Sequence, residues 1–281
     1  CKLTMKKLLY ILSILFFITS CSEYQKVLKQ KEIKPKFDMA NAFYEESLET
    51  GRKSKMVKAI KLYEQILPTL QGKPQSQIVQ YNIANALYNI EDFIQSGYKF
   101  ERFTKAFPNS QKLEEAYFKS AESYYNLSPR YSLDQIDTKK AIRKLQFYLD
   151  QYPDGEYFAE ANEKLQELET KIERKYYEVA KQYHHTTRYK SAIYDFDNYL
   201  VNYPGSAYKE QAYYYKFESA YLLAINSFEY LMEERFDDAL AYFDDYKERY
   251  PEGEFIEQAK LYVDDINVRQ TELNTNNTEQ P

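Results

Sequence analysis

The stretch AIYDFDNYLVNYP, residues 192–204, decides the predicted fold. Its alanine and three of its aromatic residues stand at i, i+4, i+7 and i+11, and a proline follows the last of them. These intervals place the four side chains on one stripe of an α-helix, which the proline then ends. The same intervals recur as Ala239, Phe243, Tyr246, Tyr250 and Pro251, as Ala141, Leu145, Tyr148, Tyr152 and Pro153, and as Ser96, Phe100, Phe103, Phe107 and Pro108. A further copy, which lacks the proline, consists of Ala59, Tyr63, Ile66 and Leu70.

A second helix is predicted before each of these helices. In three copies a small residue stands twelve positions before the anchor alanine or serine, and an aromatic residue stands three positions earlier still. These pairs are Tyr44 with Ser47, Tyr81 with Ala84, and Tyr177 with Ala180; Phe118 with Ala121 and Phe217 with Ala220 fit the other two copies with insertions. Eight residues after each proline comes another alanine: Ala116, Ala161, Ala212 or Ala259. Each copy is therefore expected to form a hairpin of helix A, a turn and helix B.

The small residue of helix A, the alanine and aromatic residue of helix B, and the closing proline resemble the tetratricopeptide repeat. The sequence therefore predicts an all-α protein, a right-handed α-solenoid of about five such hairpins with a C-terminal capping helix. Chance periodicity in a helical protein is the alternative, but periodicity alone would not repeat the proline. One position departs from the repeat, because the second small residue of helix B is replaced by Phe103, Tyr148, Tyr199 and Tyr246. Residues of this size are expected to open the packing between repeats.

The N-terminal segment has the pattern of a secretory signal. Two lysines precede an apolar run over residues 8–18, which is too short for the ~20 residues that span a bilayer. Residues 1–4 precede the first methionine and are expected to lie upstream of the true start. The run ends in Ile18-Thr19-Ser20-Cys21, which resembles a bacterial lipobox. Cys21 is therefore expected to carry diacylglycerol and an N-acyl chain after cleavage before it; the alternative is an ordinary signal peptide with an incidental cysteine.

Five segments follow from these patterns. Residues 1–20 form the signal peptide, 21–35 a lipid-anchored tether, 36–155 repeats one to three, 156–272 a long linking helix with repeats four and five and the cap, and 273–281 a polar tail. The linking helix is expected to run from about Phe158 to Tyr183, because apolar residues alternate there by three and four without a break.

Composition and motifs favour binding over catalysis. A net charge of −5 and a pI near 5.4 give no basic footprint, so nucleic acid is not an expected partner. Adjacent histidines, His184 and His185, point about 100° apart on a helix and cannot hold one metal ion together. The sequence has no glycine-rich phosphate loop and no nucleophile with a histidine partner, so we expect no catalytic residue, no metal site, and no cofactor besides the lipid on Cys21.

A solenoid of helix pairs presents a groove that is lined mostly by its first helices. The tyrosines on helix A of repeats two and three are candidates to hold a peptide there, although tyrosine at such positions is more often part of the core. These groove candidates are Tyr81, Tyr88, Tyr117, Tyr124 and Tyr125.

The lipobox, the tether and five repeats that close in Tyr-Pro resemble the BamD (YfiO/ComL) lipoproteins of outer-membrane β-barrel assembly. The spacing Tyr-Pro-x-x-x-Tyr at residues 203–208 and 152–157 is similar to the repeat terminator of that family. The insertion over residues 128–138 is similar to a loop found in one group of its members. The resemblance extends over nearly all of residues 21–270.

The resemblance implies an adaptor that is lipid-anchored in the outer membrane and faces the periplasm. It would dock on the POTRA domains of the Omp85-type barrel subunit, capture unfolded outer-membrane proteins, and work with other subunits of the complex. The N-terminal repeats would hold the substrate and the C-terminal repeats the barrel subunit, with Asp134, Gln135 and Asp195 as docking candidates. Asp195 stands where enterobacterial members of the family carry a basic residue that contacts the barrel subunit, so an equivalent ion pair would be either absent or inverted. The alternative is a repeat-scaffold lipoprotein for cell-wall assembly or polysaccharide export.

Overall fold

The structure is a computed structural model that describes residues 23–279. Within this range the chain forms twelve α-helices, one short 3-10 helix at Leu67–Leu70 and no β-strand, which confirms the all-α prediction. The helices are α1 (residues 23–29), α2 (Ile33–Thr50), α3 (Lys53–Ile66), α4 (Gln75–Asn89), α5 (Phe93–Ala106), α6 (Leu113–Leu127), α7 (Ile136–Gln151), α8 (Phe158–His185), α9 (Tyr189–Asn202), α10 (Lys209–Ile225), α11 (Glu229–Arg249) and α12 (Ile256–Glu279). The predicted signal peptide and Cys21 lie outside the described residues. No helix in the described range is both long enough and apolar enough to cross a bilayer.

The repeated proline ends four of these helices in the same way. The residue before it caps α5, α7, α9 or α11 with φ between −133° and −128° and ψ between 62° and 65°. Its amide still donates to the carbonyl four residues earlier, at 2.9 Å in each case. Proline disfavours the helical conformation of the residue before it, so each helix stops at its last aromatic residue.

The predicted hairpins are present and pack one after another along the chain. They are α2 with α3, α4 with α5, α6 with α7, the second part of α8 with α9, and α10 with α11. The anchor residues of the five second helices are completely buried: Ala59, Ser96, Ala141, Ala192 and Ala239. The four alanines that follow the prolines are buried to the same extent. Small side chains at these positions let neighbouring helices approach closely.

The described chain divides into two compact units. Unit 1 contains α1 to α7 and α8 as far as Leu168, and unit 2 contains α8 from Glu169, α9 to α12, and the loop residues 130–134. In unit 1 the start of α8 packs on α6 and α7 through Ala161, Leu165 and Leu168. Helix α8 is therefore longer than one repeat helix because it supplies a packing helix to each unit.

Residues 23–29 belong to unit 1, which corrects their assignment to the tether. They form α1, whose Tyr24 and Val27 are buried in the core of the first repeat. The Tyr24 ring lies 5.9 Å from the ring of Phe43, and the Lys58 ammonium lies 5.2 Å from the Tyr24 ring centre. The segment was assigned to the tether because it is rich in lysine, although Tyr24 and Val27 are spaced to lie on one side of a helix.

The structure also corrects the register of helix A in the fifth repeat. In repeats three and four the aromatic residue of helix A stacks at 4.6 Å on an aromatic residue of the following turn, as Phe118 does on Tyr157. In the fifth repeat Tyr214, rather than Phe217, makes this contact, with Phe255 at 4.6 Å. Phe217 takes the position of the small residue and is completely buried.

The bulky residues of helix B fill the space between repeats and bind the turn that follows. The Tyr148 hydroxyl donates to Glu114 Oε1 at 2.9 Å and accepts the amide of Tyr157 at 3.1 Å. Glu114 Oε1 also accepts the amide of Glu156 at 2.7 Å. The tyrosine thus ties both helices of repeat three to the start of α8, and we call this arrangement a tyrosine clamp.

Unit 2 contains a second tyrosine clamp with the same connections. The Tyr246 hydroxyl donates to Glu210 Oε1 at 3.2 Å and accepts the amide of Phe255 at 3.2 Å. Glu210 Oε1 accepts the amide of Glu254 at 2.6 Å. Burial in this clamp raises the pKa of Tyr246 to about 12, so its hydroxyl keeps its proton and remains a donor.

In repeat four a serine of the turn takes the place of the tyrosine hydroxyl as acceptor of the turn amide. The Tyr199 hydroxyl lies 2.5 Å from Ser206 Oγ, which donates to Glu173 at 2.6 Å and accepts the amide of Tyr208 at 2.9 Å. A serine in the turn thus performs the bridging role that the glutamate performs alone in the two tyrosine clamps.

Substitution of Ala192 tests the close contact between α8 and α9. Its side chain is completely buried in the cluster that contains Tyr177 and Ala180. Ala192→Leu is expected to lower the free energy of unfolding by about 1–3 kcal/mol, because extra carbons in a filled site force neighbouring groups apart. Chemical denaturation checks this against Tyr194→Leu, which changes a residue of the same helix that is 67% exposed. Equal stability of the two variants would show that the close contact is absent.

Candidate partner-binding surfaces

The first helices of the pairs in unit 1 are joined by a row of polar contacts. Asn85 donates to the Tyr44 hydroxyl at 2.5 Å, and Lys119 donates to Asn85 Oδ1 at 2.6 Å. Further along the row, Lys164 lies near the start of α8, and its ammonium is 3.4 Å from the carboxylate of Glu122 on α6. We call the solvent-accessible part of this row the helix-A face; it consists of Lys119, Glu122, Tyr125, Lys164 and Glu167, with Tyr88 and Glu115 at its side. Tyr44 and Asn85 are 7% and 6% exposed and support the face from beneath.

Lysines and tyrosines alternate on the helix-A face. The Lys119 ammonium lies 5.5 Å from the Tyr88 ring centre, and Lys164 lies 4.7 Å from that of Tyr125. The Tyr125 hydroxyl donates to Glu167 at 2.5 Å. Such a surface offers hydroxyl, ammonium and carboxylate groups beside exposed ring edges, which suits an extended polypeptide with mixed side chains.

Glu115 stays ionised at one edge of this face. Burial by itself would raise its pKa, but hydrogen bonds from Lys112, Tyr81 and Lys119 outweigh that effect and lower the pKa to about 2. The carboxylate therefore keeps its charge over the whole physiological range and fixes the two lysines beside it.

The structure separates the five tyrosines that were grouped from the sequence. Tyr88 and Tyr125 lie on the helix-A face, half-buried beneath lysines. Tyr81 and Tyr124 are 8% and 5% exposed and belong to the core, so the expectation that they line a groove is corrected. Tyr117 lies on a different surface, where its ring packs 5.2 Å from that of Phe147 in α7.

Sequence reasoning missed the polar residues of the helix-A face. A signal for them exists, because a polar residue stands four positions after the buried aromatic residue of helix A in repeats two to five. These residues are Asn85, Glu122, Lys181 and Glu218. Residues four apart lie on one side of a helix, so each of these polar residues lies on the same side of helix A as the buried aromatic residue, one turn further along.

In unit 2 the corresponding position forms a buried polar cluster around Glu218. Its carboxylate accepts from the hydroxyls of Tyr214 at 3.2 Å and Tyr262 at 2.9 Å, and lies 3.3 Å from His184 Nε2. His184 Nδ1 lies 3.0 Å from Ser219 Oγ. Burial lowers the pKa of His184, against the opposing effect of Glu218. The cluster joins α8, α10 and α12, and within the described residues no group of three or more His, Cys, Asp or Glu side chains is placed to hold a metal ion.

Asp195 lies in a groove of about 600 Å³ between α8 and α9 in unit 2. Burial raises the pKa of its carboxyl group, and no basic side chain in the described part of the chain pairs with it. Apolar atoms of Tyr176, Val179 and Tyr203 line the same groove, and the first two side chains are 42% and 37% exposed. The groove thus combines apolar surface with a carboxylate that has no ion-pair partner, and Lys175 lies at its edge, where its ammonium binds the loop carbonyl of Leu133. We call it the Asp195 groove.

The loop over residues 128–138 holds the other two docking candidates in different environments. Gln135 is 4% exposed, and its Oε1 accepts from the Thr138 hydroxyl at 2.7 Å at the start of α7. It is therefore a structural residue of the loop, which corrects its assignment as a docking residue. Asp134 is exposed. Lys175, at the Asp195 groove, donates to the carbonyl of Leu133 at 2.7 Å and fixes this part of the loop.

Comparison with known families identifies the group to which the chain belongs. The family model YfiO, described as outer membrane lipoprotein, matches residues 37–230. The chain belongs to the YfiO family. The match contains all of the helix-A face, the Asp195 groove and the loop over residues 128–138, so each surface described above lies inside the YfiO region. No curated protein matches the chain.

Proposed function

We propose that this YfiO-family protein is a lipid-anchored periplasmic adaptor of β-barrel assembly, with Cys21 as the lipid attachment site. It docks on the POTRA domains of the Omp85-type barrel subunit and assists the insertion of unfolded outer-membrane proteins. Its role is binding, with no catalytic group and no cofactor other than the lipid. The observation that carries the proposal is the match to an outer membrane lipoprotein family over residues 37–230, which include both candidate surfaces.

The helix-A face of unit 1 is the proposed site for the unfolded client. An extended chain has unpaired backbone amides and carbonyls, which need hydrogen-bonding partners. Hydroxyl and charged groups of α4, α6 and α8, which belong to Tyr88, Lys119, Glu122, Tyr125 and Lys164, lie in one row and can supply them in succession. The exposed edges of Tyr88 and Tyr125 supply apolar contact to client side chains without demanding one particular sequence.

The Asp195 groove of unit 2 is the proposed site for the barrel subunit. A carboxylate that is partly buried and unpaired is costly, and a basic side chain from a partner would compensate it. The apolar walls of the groove would bury surface at the same time.

Purification of the protein from detergent-solubilised membranes, followed by mass spectrometry of its partners, tests the proposal. We expect an Omp85-type barrel subunit among the main partners. Recovery of cell-wall or polysaccharide-export proteins in its place would contradict the proposal and support a scaffold for another envelope assembly.

Asp195→Arg is expected to weaken docking on the POTRA domains by about 1–3 kcal/mol, because it places a positive charge where a basic partner group binds. Isothermal titration of the purified POTRA domains into the full chain measures the change. Asp244→Arg is the matched control, since Asp244 is exposed on α11 outside the groove and makes the same change in net charge. Equal affinities of the two variants would exclude the Asp195 groove as the docking site.

A further inference from the structure

A depression of about 370 Å³ lies between α5, α6 and α7 in unit 1. One wall is formed by the rings of Tyr117 and Phe147, whose centres are 5.2 Å apart, and Phe147 is 44% exposed. Tyr117 and Lys119 lie two positions apart on α6, which separates them by about 200° around the helix axis. The depression is therefore distinct from the helix-A face, and it is formed entirely within unit 1.

The charges around this depression do not balance. Lys105, Arg143 and Lys144 line it, together with the single acidic residue Glu101. The Lys144 ammonium lies 3.2 Å from Glu101 Oε1, while no carboxylate in the described part of the chain forms an ion pair with Lys105 or Arg143. The local charge is thus +2 on a chain whose net charge is −5, so it does not follow from the overall composition.

Glu101 does not compensate the remaining cations. Burial alone would raise its pKa, but Lys144, Tyr124 and Lys140 lower it, so the group is ionised. Its charge is shared between Lys144 and Lys140, which lies 3.7 Å away on α7. Lys105 and Arg143 therefore face the depression without a counter-charge from the described chain.

We propose that this basic-aromatic depression binds an acidic segment of a partner protein. A carboxylate of the segment is held by Lys105 and Arg143, and a neighbouring aromatic side chain packs on Phe147. Charge complementarity selects the carboxylate, since two unpaired cations attract a negative group and repel a positive one. The half-exposed aromatic wall selects a polypeptide over a simple anion, because a simple anion would leave this apolar surface in water.

The shape of the site favours a peptide over a membrane surface. A bilayer binds basic groups that project outward over a wide area, and its headgroups are attracted to many lysines at once. Here the cations border a depression whose volume fits one or two side chains. The proposal does not depend on β-barrel assembly and would stand if another envelope machinery were the partner.

A defined peptide tests the proposal. The probe is fluorescein-labelled Gly-Glu-Asp-Phe-Glu-Asp-Gly, titrated with the full chain carrying Cys21→Ser and followed by fluorescence polarisation. We expect saturable binding that weakens with added salt. A neutral peptide with Gln and Asn in place of Glu and Asp, and an acidic peptide with Ala in place of Phe, should each bind at least fivefold more weakly.

Single variants locate the binding to the depression. Arg143→Gln, Lys105→Gln and Phe147→Ala should each weaken binding at least fivefold and leave thermal unfolding nearly unchanged, because all three side chains are exposed. Lys61→Gln removes an exposed lysine of α3 away from the site and should bind as the parent does. If Arg143→Gln and Lys61→Gln bind equally, or if the neutral peptide binds as tightly as the acidic one, the proposal is wrong. Binding to phosphatidylglycerol vesicles that depends on Arg143, without binding to the peptide, would also overturn it in favour of a lipid headgroup.

Discussion

Gly155→Ala and Gly253→Ala are each expected to lower the free energy of unfolding by about 2–4 kcal/mol. These glycines occupy the turns that follow the two tyrosine clamps. A Cβ atom at Gly155 would lie 2.5 Å from Glu114 Oε1 and 2.7 Å from the Tyr148 hydroxyl. At Gly253 it would overlap Glu210 Oε1 and lie 2.7 Å from the Tyr246 hydroxyl of the second clamp. The clamp must open to admit the methyl group, which separates the carboxylate and the hydroxyl from the two turn amides that they bind.

The chain supplies its own control for this prediction. Gly205 lies in the corresponding turn of repeat four, and a Cβ atom there would meet no atom within 4 Å. Gly205→Ala is therefore expected to leave stability unchanged or to raise it slightly, because alanine restricts the unfolded chain more than glycine does. Urea denaturation of the three variants tests the difference. Equal stability of all three would mean that the clamps contribute nothing measurable.

Cys21→Ser is expected to abolish lipid attachment and release the protein from the membrane fraction. Each methylene of an acyl chain that enters the bilayer contributes ~0.8 kcal/mol, so two or three long chains hold the protein effectively permanently. Serine at this position offers no thiol for the diacylglycerol. Radiolabelled palmitate should enter the parent protein and be absent from the variant, which should appear in the periplasmic fraction.

Ser22→Ala is the matched control, since Ser22 adjoins Cys21 and the change leaves the cysteine thiol in place. It should keep both the label and the membrane association of the parent. Continued labelling of Cys21→Ser would show that the lipid is attached elsewhere and would contradict the interpretation of residues 18–21 as a lipobox.

Local sequence determined how well each feature could be predicted. The helix pairs follow from intervals within about 15 residues, because helix periodicity and the terminating proline are local properties. The tyrosine clamps could not be predicted, because their atoms belong to residues 34 and 42 positions apart, such as Glu114 with Tyr148 and with Glu156. In the sequence, a tyrosine whose hydroxyl forms such a hydrogen bond cannot be distinguished from any other buried aromatic residue.

The two candidate surfaces show a second limit of the same kind. Intervals in a helix tell which residues share a side, but they do not tell which side meets the neighbouring helix. Tyr81 and Tyr88 are both on α4, yet Tyr81 packs on Phe100 and Phe103 while Tyr88 reaches the surface. The choice is made by the next repeat, whose position depends on the whole array. Asp195 was predicted as a docking residue from the family resemblance alone. The groove around it is formed by the packing of α9 on α8, which the sequence did not predict.

Helix α1 would limit how far the first repeat can move from a lipid attached at Cys21. Glu23 begins that helix, and Tyr24 and Val27 are already packed into the first repeat. Only two peptide steps separate Glu23 from Cys21, a distance of at most ~7 Å. A flexible tether of 15 residues would instead allow an average displacement of roughly 20 Å. With a lipid on Cys21, the first repeat works at the membrane surface, and a partner must come to the bilayer to meet it.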